Sequence, residues 1–307
     1  MTSTAYLLIS HGSRDPRHQV AINRLAQLVR ERLNPSLLGP WSQSSSPLRV
    51  EERSAVTVLG ATGSLKPEGR GSALTTLPRV VTSPARLPQD RFIVGTAVLD
   101  FGLLPLHQQI CEFGRRLTSA GIARLQLVPL FLLRGKHVME DIPEEVELAR
   151  KQLDGMIDLE IGEHIGGSQG MFDLLTHRFS HSPKDGRLII AHGSRRVKGN
   201  QMVNNLAKSL GTSVAYWTKE SDIEKQTIQL MQQGCPTLTI FPYFLFTGGI
   251  TDAVAHLTEE LAERFPRTSF RLLPPLGATA DMADLIVRTL GHNSRSGGVT
   301  RTERYIF

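Results

Sequence analysis

The sequence predicts an α/β protein built as two tandem, doubly wound parallel-sheet domains that face one cleft. Three observations carry this. The run Leu7-Leu8-Ile9-Ser10-His11-Gly12-Ser13-Arg14 returns as Leu188-Ile189-Ile190-Ala191-His192-Gly193-Ser194-Arg195. A second pair, Val128-Pro129-Leu130-Phe131-Leu132-Leu133-Arg134-Gly135 and Phe241-Pro242-Tyr243-Phe244-Leu245-Phe246-Thr247-Gly248, also lines up position by position. Short apolar runs alternate with helical patterns through both halves, an order that requires parallel strands joined by crossover helices. Two copies of His-Gly-Ser-Arg in matching context mark a duplicated unit rather than a chance repeat.

Taken in order, residues 6–10 form the first strand, an apolar run buried on both faces. Residues 17–33 carry Ile22, Leu25, Ala26, Val29 and Leu33 along one helical face. From residue 34 to residue 90 the periodicity stops, and seven of the 17 prolines fall there together with Ser44-Ser45-Ser46. This stretch reads as a low-complexity, mostly disordered insertion, with residues 56–59 the one strand candidate in it. Residues 92–98 form a strand ending at Asp100, and Leu106, Ile110, Phe113 and Leu117 mark a helix. Residues 124–133 read as a buried strand, 142–153 as a helix, 157–161 as a strand, and 171–179 as a helix that closes the first repeat near Ser182.

The second repeat retraces this path. Strands are expected at 187–191, 213–217, 237–245 and 270–273, with helices marked by Val203, Leu206 and Leu210, by residues 223–233, by Val254, Leu261 and Phe265, and by residues 282–290. Aligning the repeats sets Val94 to Asp100 against Val214 to Glu220, and the extra spacing in the first repeat falls in the Pro/Ser-rich insertion. The domains are thus 1–182, carrying the active site, and 183–291, with a loose Gly/Ser/Arg-rich tail at 292–307.

Composition narrows the function. Hydrophobic residues make 40% and charged residues 21% of the chain, the profile of a soluble globular protein. No apolar run approaches a membrane span, and no basic segment precedes the short apolar start as a signal peptide would require, so the expected location is the cytoplasm. Cys111 and Cys235 form no metal-binding spacing and read as reduced structural thiols. The net charge of +6 permits a polyanionic partner. No nucleic-acid module is present, and aromatics are only 6%.

Three groups fall at strand ends on one side of the first sheet: His11, Asp100 and His137. Two imidazoles and a carboxylate suit a borderline divalent metal, and either histidine is also suited to general-base work. The matching positions of the second repeat are His192, Glu220 and Ile250. Ile250 neither binds a metal nor accepts a proton, so this second site reads as degenerate, with His192 and Glu220 as remnants or cleft lining. The plainer readings stand beside these: Asp100 as a helix cap, Ser13 as a turn hydroxyl, Arg14 and Lys136 as solvated charges, His107 as structural and His164 as a loop histidine.

At these residues the chain resembles a known family, the sirohydrochlorin chelatases, the class II chelatases of the sirohaem and cobalamin routes. The resemblance rests on Ser10-His11-Gly12-Ser13-Arg14-Asp15-Pro16-Arg17 and on the run from Val128 through Gly135-Lys136-His137-Val138-Met139-Glu140-Asp141-Ile142-Pro143. It covers nearly the whole chain outside the insertion and tail, as a fused two-repeat form. It implies that His11 and His137 handle the metal, and that Asp100 stands where the family usually has Glu. It implies insertion of Fe²⁺ or Co²⁺ into sirohydrochlorin, the histidines binding metal and accepting pyrrole protons. The metal is then a substrate, with no permanently bound cofactor. Sirohydrochlorin is a polycarboxylate, and Ser13, Arg14, Arg134 and Lys136 lie beside the key histidines to bind it. Nucleic acid and membrane are not expected partners, and the internal duplication predicts a monomer. Two other classes remain: a metal or tetrapyrrole carrier without turnover, and a phosphate-handling hydrolase, against which Ser10 stands where a histidine phosphatase would have Arg.

Overall fold

A computed structural model describes residues 4–35, 92–179, 185–194 and 197–293. Nearly all of the insertion, the strand candidate at 56–59, Arg195 and the tail beyond residue 293 lie outside the described residues. The first repeat runs β1 (Thr4–Ser10), α1 (Pro16–Leu33), β2 (Ile93–Val98), α2 (Leu106–Ser119), β3 (Arg124–Pro129), α3 (Ile142–Leu153), β4 (Asp158–Ile161) and α4 (Gln169–Arg178). The second runs β5 (Gly186–Ala191), α5 (Val197–Ser209), β6 (Ser213–Tyr216), α6 (Glu220–Gln232), β7 (Thr237–Tyr243), α7 (Gly249–Arg264), β8 (Ser269–Leu272) and α8 (Ala280–Asn293).

Each repeat is a four-stranded parallel sheet, ordered β2-β1-β3-β4 and β6-β5-β7-β8. In each, the chain steps outward from the central strand and then returns to its other side. That reversal makes a switch point between β1 and β3, and another between β5 and β7, where such sheets open a crevice at their carboxyl ends.

Burial explains the uninterrupted apolar runs. Ala5, Leu7 and Ile9 of β1 pack on one face with α2 and α3, while Tyr6 and Leu8 pack on the other. The second face belongs to a core shared by the two repeats, joining Ile22, Leu25 and Val29 of α1 to Phe241 of β7 and Leu285 and Ile286 of α8. The last helix thus packs back against the first. A smaller core under the outer face of the second sheet joins Leu188 and Ile190 to Ile223 and Val254. The free Cys111 lies on the buried face of α2, in keeping with a structural thiol.

Two expected strands end early. Pairing in β3 stops at Pro129 and in β7 at Tyr243, because the central strands β1 and β5 already end at Ser10 and Ala191. Leu130 makes one last bond, its amide donating to the Ile9 carbonyl at 2.7 Å, before the chain turns toward His137. No helix among the described residues is long and apolar enough to cross a membrane.

Candidate metal centre

His11 leaves the end of β1 through Gly12, whose φ of +91° is left-handed. A side chain at that position would press on the Asp100 carbonyl at 2.0 Å, so only glycine fits. The close approach is part of the site: the Asp100 amide donates to the His11 carbonyl at 2.8 Å, which carries the acid to the histidine. His137 opens a π-helical turn, His137–Asp141, that runs directly into α3.

These three residues converge. One donor atom from each of His11, Asp100 and His137 lies within 4.8 Å of the other two. Nε2 of His11 is 3.7 Å from the Asp100 carboxylate, and the two imidazoles meet edge to face with centroids 4.8 Å apart. A metal about 2.1 Å from each donor would set tetrahedral donors about 3.4 Å apart. The trio is therefore close to a binding geometry but slightly splayed, and about half of the His11 and Asp100 side chains is open to solvent. Splayed, exposed donors leave coordination positions open, which a closed structural site does not.

The outer nitrogen of each imidazole is held. Nδ1 of His137 lies 2.7 Å from the Asp141 carboxylate, and Nδ1 of His11 lies 3.3 Å from the Gly12 carbonyl. A carbonyl only accepts, so Nδ1 of His11 carries the proton and Nε2 keeps its lone pair toward the cluster. The carboxylate imposes the same tautomer on His137, an arrangement typical of metal-ligating histidines. Asp141 also receives Lys136 at 3.0 Å. Burial alone would raise the Asp141 carboxyl, but hydrogen bonds from Lys136 and His137 outweigh it and hold its pKa below the ordinary value. Asp141 was not singled out from the sequence; the signal was its position four residues after His137, where one helical turn brings two side chains together.

A cleft of about 630 Å³ opens over the site and is lined by both repeats, including His11, Ser13, Lys136 and His137 from one and His192, Phe244 and Ile250 from the other. The remaining cations sit differently. Arg14 stacks on Phe101, 5.4 Å from the ring centroid, and Arg134 donates to the Met139 sulfur at 3.0 Å. Neither guanidinium residue lines the cleft. Ser13 Oγ accepts the Asp15 amide at 3.0 Å. His164 is a buried loop histidine, and His107 pairs with Glu145 at 2.8 Å between α2 and α3.

The second repeat corrects one alignment. The amide of Thr218, not of Glu220, donates to the His192 carbonyl, at 3.1 Å. Thr218 is thus the counterpart of Asp100, and Glu220 is the first residue of α6. The slip of two residues arose because a shift by two along a strand keeps every side chain on its own face, leaving the apolar pattern unchanged.

The model of the CbiX family matches residues 63–182 and 186–292, once for each repeat. The chain belongs to the CbiX family. In this CbiX chain the second match takes in His192, whereas β1, α1 and His11 precede the first matched stretch, which begins within the insertion.

Two curated relatives agree with the likeness carried by the motifs. The sirohydrochlorin ferrochelatase of Priestia megaterium is 25% identical over 155 residues, covering 46% of this chain and 58% of that protein. The chloroplastic sirohydrochlorin ferrochelatase of Arabidopsis thaliana is 29% identical over 118 residues, covering 35% and 52%. The matches thus span a little over half the length of these relatives. Among solved structures, SirB from Bacillus subtilis with Fe³⁺ superposes with a TM-score of 0.64 at 16% identity, over 96% of this chain and 97% of that one. The same enzyme from Bacillus subtilis subspecies spizizenii in complex with cobalt gives 0.57 at 16% identity, over 95% and 96%. At this identity the likeness is one of fold, and it establishes the two-domain chelatase architecture for this CbiX protein.

Proposed function

We propose that this protein is a sirohydrochlorin chelatase, a lyase-class enzyme that inserts Fe²⁺ or Co²⁺ into sirohydrochlorin on the way to sirohaem or cobalamin. The observation that carries the reading is the convergence of one donor atom each from His11, Asp100 and His137 within 4.8 Å, beside a cleft of about 630 Å³ that both repeats line. Membership of the CbiX family and the names of the curated relatives support the substrate class.

In this reading the first repeat, residues 1–182, holds the metal, and residues 183–291 form the facing side of the cleft. Nε2 of His11, Nε2 of His137 and the Asp100 carboxylate bind the ion. Two nitrogens and one oxygen leave coordination positions open for pyrrole nitrogens, and they bind less tenaciously than a thiolate cage. The incoming pyrrole nitrogens displace the protein donors one at a time. The substrate carboxylates meet Ser13 and Lys136 on the cleft wall, with Arg14 and Arg134 reaching in from outside it. Because one chain supplies both lobes, the working unit is a monomer.

The test is anaerobic metallation followed by visible absorption, with sirohydrochlorin and either Fe²⁺ or Co²⁺. The reading expects a rate well above the spontaneous reaction with at least one metal. Stoichiometric tetrapyrrole binding without acceleration would instead identify a carrier.

A further inference from the structure

Metallation removes two protons from pyrrole nitrogens, and the residues that hold the metal are poorly placed to take them. In both His11 and His137, Nδ1 is engaged by the protein, with Gly12 and Asp141 respectively. The Nε2 lone pairs are the ones the metal uses. An imidazole whose free lone pair sits on a metal accepts no proton until that metal has left.

His192 stands across the same cleft in the same local setting as His11. It follows β5 as His11 follows β1, and Gly193 turns the chain with a φ of +87° against +91° at Gly12. Nδ1 of His192 lies 3.0 Å from the Gly193 carbonyl, so Nδ1 carries the proton and Nε2 is the open acceptor. Its own carbonyl accepts the Thr218 amide as that of His11 accepts the Asp100 amide. What has changed is the remainder of the donor set. Thr218 replaces Asp100 and Ile250 replaces His137, and no second metal-donor cluster occurs among the described residues. The second repeat has kept the imidazole, its tautomer and its exposure, and has lost the partners that would trap a metal on it.

We propose that His192 is the proton acceptor of the metallation reaction, facing the macrocycle from the side opposite the metal held by His11, Asp100 and His137. In each transfer a pyrrole N–H bond breaks and an N–H bond forms at Nε2 of His192. The electron pair left on the pyrrole nitrogen binds the metal. The imidazolium then passes its proton to bulk water from its exposed edge, and two such transfers complete a turnover. Divalent metal plus the neutral macrocycle gives metallated macrocycle plus two protons.

Two other titratable groups of the cleft fit this role less well. His18 is half-buried and packs edge to face on Phe246 at 5.4 Å, and burial lowers its pKa below the ordinary value, which makes it the weaker base. Tyr243 is fully buried, and burial pushes its phenol far above the ordinary range, so it is no base.

The inference rests on the chelatase reading and deepens it. The experiment compares wild type, His192→Ala and His192→Gln in anaerobic Co²⁺ metallation. Co²⁺ binding to the protein alone and sirohydrochlorin binding are measured separately, the latter by fluorescence quenching. Loss of a general base lowers kcat by about 10²-fold, and both binding steps should stay unchanged. Added imidazole should restore rate to His192→Ala in proportion to its concentration, but not to His11→Ala, which lacks a metal ligand. A wild-type kcat in His192→Ala overturns the proposal and leaves the chelatase reading standing. So does a loss confined to KM, which would make His192 part of a binding wall. A wild type that fails to accelerate metallation removes the chelatase reading, and this inference with it.

Discussion

His137 and Asp141 lie one helical turn apart, and the imidazole Nδ1 meets the carboxylate at 2.7 Å. The bond is made across the π-helical turn that joins the switch-point loop to α3. It fixes both the orientation of the ring and the nitrogen left for a metal. Asp141→Asn removes the charge and keeps the size. Loss of such an outer partner lowers metal affinity by about 10- to 100-fold. A Co²⁺ titration of the variant should show that loss, while the denaturation midpoint stays close to wild type. Unchanged affinity would mean that Asp141 only anchors Lys136.

Gly12→Ala should be among the most damaging single changes in the first repeat. The new methyl would meet the Asp100 carbonyl at 2.0 Å in a left-handed backbone. A cost of about 3 kcal/mol or more is expected from chemical denaturation, with Co²⁺ binding lost as the loop carrying Asp100 moves. Gly121 is the control. It has a φ of +77° and nothing within 4 Å of an added methyl. Gly121→Ala should cost only about 1 kcal/mol, the price of the backbone region alone. Equal costs at the two sites would show that crowding at Asp100 is unimportant.

The two lobes should unfold as one unit. Arg17 of α1 reaches both Asp15 and Asp252 at 2.6 Å, but the three groups form a network at the surface. Exposed ion pairs add little, so Arg17→Ala should barely move the midpoint. The shared core is different: Ile286 of α8 is fully buried against residues of both repeats. Ile286→Ala should cost about 2–5 kcal/mol and shift a single transition seen alike by far-UV and tryptophan signals. Two separate transitions would contradict the shared core.

His164 should make the protein sensitive to mild acid. Burial, with a smaller contribution from Arg134, lowers its pKa from 6.5 to about 4. Between those values the unfolded chain binds a proton that the folded chain refuses, so stability rises with pH across that window. The stabilisation is complete above pH 6.5 and is lost as pH falls toward 4. The shift corresponds to about 3 kcal/mol. Denaturation midpoints measured at several pH values should show this slope in wild type and lose it in His164→Gln. A slope that persists in the variant would assign the acid sensitivity elsewhere.

Much of this architecture was legible because it rests on side-chain type. The runs ending at Ser10 and Ala191 are apolar on both faces because both faces of each sheet are covered. His11 could be placed at the end of β1 because the same run returns before His192, whereas His137, expected at a strand end, instead opens the turn into α3 well beyond the end of β3 at Pro129. What could not be read was set by backbone geometry. The Thr218 counterpart of Asp100 is fixed by one amide bond to the His192 carbonyl, and a two-residue shift leaves the side-chain pattern silent about it. The stacking of Arg14 on Phe101 depends on a left-handed Phe101, φ +60°, which residue type does not announce. Asp141 was visible in the motif, but its bond to His137 follows from the turn that continues into α3.

The central claim is that His11, Asp100 and His137 work as one metal-delivering set. The most direct measurement is the anaerobic rate of Co²⁺ or Fe²⁺ insertion into sirohydrochlorin by wild type, His11→Ala, His137→Ala and the double variant. Each variant should first be shown to be folded and to bind the tetrapyrrole. The account predicts that wild type exceeds the spontaneous rate, that either single change removes most of the excess, and that the double variant does little further harm, because the donors act as a unit. Insertion at the wild-type rate by the folded double variant would contradict it.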